Sequence, residues 1–238
     1  MPDQALALVF ALAAASTPNP VSDFNSGVDA ERRGDLHAAA AWLEQSQRAA
    51  PRWALPKLEL AEVLLEEGGA PDRVLGLLRE AQGLDSQNPR LYHLSALALI
   101  EKANPAQAEV MERAALSLRP EFPEAESTLG DVLWSEGKRE EALRLWRHRS
   151  DRHPRDSALR ALLVDRLLDD GRGPEAEKEL RILVAGQPKN PVWHRRLART
   201  LEAEGLGVEA AAERARADAL SGTTVPKRKL RRLPDSKR

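Results

Sequence analysis

The chain has 238 residues, 42% of them hydrophobic and 31% charged, with a formal charge of −1. That length and apolar content suffice for a sizeable core, and the absence of strand-like alternation makes the composition that of an all-α protein. Cysteine is absent, which excludes disulfides, thiolate metal sites, thiol catalysis and lipoprotein attachment while leaving the redox compartment open.

Residues 5–15 are an unbroken apolar run, followed by Ser16-Thr17-Pro18-Asn19-Pro20. The run is too short to span a membrane as a helix. Its length and its Ala13-Ala14-Ala15 stretch suit an export signal with a small-residue cleavage site, although Met1-Pro2-Asp3-Gln4 lacks the usual positive charge. The alternative is an N-terminal capping helix, with Leu6, Phe10, Ala13 and Pro18 mimicking the repeat described next. The first reading predicts export (periplasmic or secreted) and the second leaves the chain in the cytoplasm.

From residue 20 to residue 222 the sequence repeats every 34 residues, six times, with one inserted residue around Gly69-Ala70. The repeats are 20–53, 54–88, 89–122, 123–156, 157–190 and 191–222. Position 8 is small or modest: Gly27, Ala61, Ala96, Gly130, Val164 and Ala198. Position 15 is Gly34, Gly68, Ala103, Gly137, Gly171 and Gly205, and position 20 is Ala39, Val74, Ala108, Ala142, Ala176 and Ala210. Position 32 is Pro51, Ser86, Pro120, Pro154, Pro188 and Gly222. Each repeat thus reads as two amphipathic helices, A and B. Glycine caps A, and proline follows B where it cannot continue the hydrogen-bond ladder. In the fourth repeat the spacing predicts helix A over Glu124–Ser135 and helix B over Glu140–Arg149. Small residues at positions 8 and 20 let A and B approach closely.

This skeleton resembles the tetratricopeptide repeat family, over four-fifths of the chain. The resemblance implies a right-handed superhelical solenoid of antiparallel helix pairs and a non-enzymatic scaffold for a protein or peptide partner. It implies no cofactor, no metal and no small-molecule substrate. Position 24 carries Leu43, Leu78, Trp146 and Leu180, which meet the following repeat. Arg214 at that position, flanked by Glu213 and Arg216, marks the last repeat as a polar cap. Glu112 breaks the rule without an evident reason, and the neighbouring Met111 is the expected packing residue in its place. Arg149 stands where position 27 is ordinarily alanine.

In the family, helix A lines a concave groove, and positions 2, 5, 9 and 12 face the ligand. Here those positions carry Phe24 and Val28, then Leu58 and Glu62, then His93, Leu97 and Ile100. Asp131 and Trp134 follow, then Asp165 and Leu168, and last Arg195 and Arg199. This grading predicts an extended or helical peptide with apolar residues toward the first repeats and an acidic end toward Arg195 and Arg199. The competing expectation for Leu97 and Leu168 is that they pack helix A against the next repeat. The Lys and Asn pair at positions 5 and 9 that grips chaperone tails is absent from every repeat.

Other motifs carry less. Glycine spacings near Gly130–Lys138 and Gly205–Gly207 imitate nucleotide-binding loops, but the first has the wrong spacing and lacks a hydroxyl, and no strand precedes the second. His37, His93, His148, His153 and His194 include no pair at metal-ligand spacing on one helix. The run Arg144, Arg147, His148, Arg149, Arg152, His153, Arg155 and Arg160 reads as a solvated surface, since it lacks interleaved aromatics for stacking on bases.

Residues 223–238 hold Lys227, Arg228, Lys229, Arg231, Arg232, Lys237 and Arg238 against Asp235 alone. Seven cations and one carboxylate give +6, so the whole-chain −1 leaves −7 on residues 1–222. Pro226 and Pro234 argue against a helix there, and the composition predicts a disordered arm. An alternative function is an electrostatic adaptor in which this tail contacts nucleic acid or an anionic membrane.

Overall fold

A computed structural model describes residues 19–222, and every regular element among them is an α-helix. The apolar run at 5–15 and the basic tail lie outside the described residues. Six helix pairs follow in order: α1 (Pro20–Arg32) with α2 (Leu36–Ala49), α3 (Ala54–Glu66) with α4 (Pro71–Leu84), and α5 (Pro89–Glu101) with α6 (Pro105–Leu118). Then come α7 (Pro123–Ser135) and α8 (Arg139–Arg152), α9 (Ser157–Asp169) and α10 (Gly173–Gly186), and α11 (Pro191–Ala203) and α12 (Gly207–Leu220). Each odd-numbered helix is the A helix of a repeat and each even-numbered one its B helix. The described residues divide into two compact units, one ending at Ala142 and the other beginning at Leu143.

The helix ends are written in the side chains. Asn19, Asn88 and Asn190 precede prolines at the first helical position and accept backbone N–H bonds from the first turn. Asp35 and Asp156 do the same for α2 and α9. Such caps satisfy donors that have no partner inside the helix and contribute about 1 kcal/mol each. After each A helix the chain enters the left-handed region at position 15, with φ from 70° to 79° in five repeats. In the third repeat Ala103 takes that conformation at φ 54°, the one non-glycine residue at positive φ among the described residues.

Close approach at positions 8 and 20 holds. A Cβ on Gly27 would stand 2.7 Å from Cγ of Leu43. Ala39, Ala108, Ala142, Ala176 and Ala210 are buried. In the first unit α1 packs on α2, α3 on α4 and α5 on α6, and A helices also touch successively, α1 with α3, α3 with α5 and α5 with α7. One apolar cluster runs from Ala30 and Leu43 through Leu60, Leu64 and Leu78 to Leu91 and Ala98. In the second unit α9 packs on α10, α10 on α11 and α11 on α12. Leu163, Leu167, Leu180, Leu183, Leu197 and Leu201 are buried there.

Buried ionisable groups explain one departure from the repeat pattern and correct two expectations. Glu112 is fully buried and shares a 2.8 Å hydrogen bond with Nδ1 of His93, nineteen residues earlier. Met111 still packs, against Ala96, Leu99, Ala108 and Val132. Glu213 is not on the polar outer face of the cap. It is buried and bonded to Nδ1 of His194 at 2.6 Å, while Nε2 of His194 faces the Pro188 carbonyl at 2.9 Å. Arg160, expected among solvated arginines, is buried and ion-paired with Glu179, again nineteen residues on. In this register position 4 is ionisable in five repeats, Asp23, Lys57, Glu126, Arg160 and His194, all of them buried. The repeat consensus places tryptophan there, whereas this chain joins helices A and B through the ion pairs Lys57–Glu80 and Arg160–Glu179 and through the hydrogen bond between His194 and Glu213.

Candidate partner-binding groove

Because α3, α5 and α7 touch in succession, groove positions from three repeats converge. They enclose a pocket of about 290 Å³ in the first unit. From α3 come Glu62, Leu65 and Glu66, and from α5 come Arg90, His93, Leu94 and Leu97. The turn after α6 and the first turn of α7 add Arg119, Phe122 and Glu124. Leucines make the floor and charged groups the rim. Leu97 is half-buried, so it serves both as packing and as pocket wall.

The rim is electrostatically uneven. Arg90 donates to both carboxylate oxygens of Glu59, at 2.9 and 3.1 Å, and to Glu62. Burial alone would depress the Arg90 guanidinium, but the hydrogen bonds and charges of Glu59 and Glu62 hold it above its ordinary value. Glu31, at position 12 of the first repeat, is pushed up by burial and then by the charges of Glu59, Glu62 and Glu66, with Arg90 opposing. Carboxylates therefore outnumber cations here. Arg119 lies 3.5 Å from the centroid of Phe122, a cation–π contact. Phe122 in turn packs tilted on His93, with ring centroids 5.1 Å apart. Behind His93, burial pushes the Glu112 carboxyl up, and the hydrogen bond and charge of His93 oppose that shift. The buried pair thus fixes the orientation of a pocket side chain.

Among the residues expected from sequence, Glu62, His93 and Leu97 line the pocket. Leu58 does not line a groove. It is 2% exposed and belongs to the core of the first repeats. Phe24 stacks on Trp53 at 4.9 Å, and Val28 is half-buried. Asp131 is exposed, and Trp134 is half-buried with Arg139 over its ring at 4.4 Å. In the second unit Asp165 is ion-paired with Arg196, and Arg195 donates to Oγ of Ser221 at 2.6 Å. Arg199 is exposed. The structure thus gathers Glu31, Glu59, Glu62 and Glu66 in the first repeats, where an apolar end was expected, and engages Asp165 and Arg195 at the other end. Sequence reasoning missed Arg90, Glu124, Leu65 and Glu31, although they occupy positions 2 and 12 of the same register. Arg119 and Phe122 come from a turn and had no periodic signal. Lys227, Arg228, Lys229, Arg231 and Arg232 lie outside the described residues. Among those that are described, no three His, Asp or Glu residues gather as metal ligands, and no helix is long and apolar enough to cross a membrane.

No protein-family model and no curated protein matches this sequence. Solved structures do. PilF of Pseudomonas aeruginosa superposes with a TM-score of 0.63 at 19% identity, covering 86% of this chain and 93% of its own. A tetratricopeptide repeat protein from Parabacteroides merdae gives 0.61 at 16% identity, covering 91% and 84%. YrrB, a tetratricopeptide repeat protein with an unusual peptide-binding site, gives 0.58 at 18% identity, covering 76% and 92%. At these identities the likeness is one of fold.

Proposed function

We propose that this chain, a tetratricopeptide-repeat solenoid by fold, is a non-enzymatic scaffold that binds a protein or peptide partner on its helix-A face, centred on the pocket between α3, α5 and α7. One observation carries the reading: groove positions of three successive repeats converge on a leucine-floored pocket of about 290 Å³ whose rim includes Glu66 and Glu124, neither of them ion-paired with another of the described residues. Such a site seats an apolar side chain of an extended segment and selects its flanking charges. The peptide-binding site of YrrB, on the same fold, supports a peptide as the ligand class. Arg195 and Arg199 form a second, weaker contact region for an acidic stretch of the partner. The basic composition of residues 223–238 supports a subsidiary role as an electrostatic contact to nucleic acid or an anionic membrane, whose signature is binding that weakens steeply with salt.

The test is affinity capture from the native host with wild type and the Glu66→Arg/Glu124→Arg variant, whose changed residues are both exposed. The reading predicts that specific partners drop out of the variant's set. Recovery of the same partners in the same amounts sinks it.

A further inference from the structure

The pocket also carries the chemistry that selects its ligand. Leu65 of α3 and Leu94 and Leu97 of α5 make its floor, and Glu62, Glu66 and Glu124 stand on its rim. Glu31 feels the charges of Glu59, Glu62 and Glu66, which places all four carboxylates in one field. With Glu124, five carboxylates against the guanidinium groups of Arg90 and Arg119 leave a local charge of −3.

The two cations do not neutralise this rim evenly. Arg90 is committed to Glu59 and Glu62, and Arg119 lies over the Phe122 ring. Glu31, Glu66 and Glu124 are ion-paired with no other described residue. Glu66 and Glu124 are also exposed, so an arriving cation reaches them without displacing a partner. The crowding shows at Glu31, which burial and then its acidic neighbours push up. An anionic segment would add to that repulsion, and a cationic one relieves it.

The helix spacing sets where the cations belong. Glu66 stands on α3 and Glu124 on α7, with the leucines of α5 between them. Successive A helices touch, and packed helix axes lie roughly 8–10 Å apart. An extended chain advances about 3.3 Å per residue, so about three residues carry it from one A helix to the next.

We infer that the pocket between α3, α5 and α7 binds an extended segment of a partner protein in which arginine or lysine flanks a leucine-sized apolar residue on both sides. The apolar side chain covers the leucine floor, and the flanking cations pair with Glu66 and Glu124. This inference rests on the groove being the partner site and adds which kind of segment it accepts.

The test uses the purified full-length chain and three fluorescein-labelled nine-residue peptides, followed by fluorescence anisotropy. The first peptide has arginine at its second and eighth positions, leucine at its fifth, and serine or glycine elsewhere. The second has glutamate for both arginines, and the third has serine for the leucine. The first is expected to bind about tenfold tighter than either of the others. Because residues 1–222 carry −7, general attraction has to be separated from binding at this rim. In the Glu66→Arg/Glu124→Arg protein the preference reverses, and the glutamate peptide binds more tightly than the arginine one. Asp72→Arg/Asp85→Arg changes the charge equally at exposed positions outside the pocket, and there the first peptide keeps its lead. Equal affinity for the arginine and glutamate peptides, no gain from the leucine, or no binding of the first peptide overturns the inference. So does an arginine preference that survives the Glu66→Arg/Glu124→Arg exchange. The groove reading fails separately, when that same variant still captures its partners from the native host.

Discussion

Replacing Glu179 by leucine restores the apolar character expected of a buried helix-B position and nevertheless destabilises the protein. Arg160 is 5% exposed and Glu179 8%, and the two are ion-paired between α9 and α10. Removing one member of a buried pair costs about 3–5 kcal/mol, because the other charge stays desolvated without its partner. Arg160 would retain Asp151 at 3.3 Å and the Ser150 carbonyl at 3.4 Å, but Asp151 is largely in solvent. Those residual contacts put the loss at the lower end, about 3 kcal/mol. The double variant Arg160→Leu/Glu179→Leu removes both charges and leaves volume for packing, so it returns to within about 1 kcal/mol of wild type. Urea unfolding followed by far-ultraviolet circular dichroism measures all three proteins. A Glu179→Leu protein within about 0.5 kcal/mol of wild type, or a double variant no better than the single, refutes the claim that this ion pair replaces an aromatic packing residue.

Ala103→Gly should stabilise the chain by about 0.5–1 kcal/mol in the same assay, since a left-handed alanine costs about 1–2 kcal/mol and the extra freedom of unfolded glycine returns only part of that. A loss of stability would mean that the φ of 54° is not strained. Glu109 is held down to about 2 by Lys138 and, next, Arg113. Its contribution to stability is therefore complete above its ordinary value of 4.5 and vanishes as pH falls from there toward 2. The stability gap between wild type and Glu109→Gln should close across that window, and a gap independent of pH contradicts the assignment.

What was legible in the sequence is what the backbone or tight packing restricts to one residue type. Position 15 needs a left-handed residue, position 20 tolerates little beyond a methyl group, and position 32 lies where helix B has stopped. These demands leave a mark in most repeats, with Ala103, Val74 and Ser86 as the departures. Buried charge was harder to read, because Glu112, Glu213 and Arg160 look like surface residues when taken singly. The signal that finds them is relational: 93 and 112, 160 and 179, and 194 and 213 are all nineteen apart and of pairing types. The pocket was half legible for a similar reason. Glu62 and His93 follow from the helix register, whereas Arg119 and Phe122 reach the site through the turn joining α6 to α7, whose path no periodicity encodes. Leu58 shows the opposite error, since a register position alone does not say which way a leucine turns when a core lies behind it.

The central claim, that partners bind over the pocket, is tested most directly by photo-cross-linking in the native host. A benzophenone amino acid replaces Glu66 on the rim or, in a control protein, Gln45 on the exposed face of α2. The account predicts adducts with a distinct partner protein from position 66 and none from position 45. Partner adducts from position 45 alone, or from neither site, would contradict it.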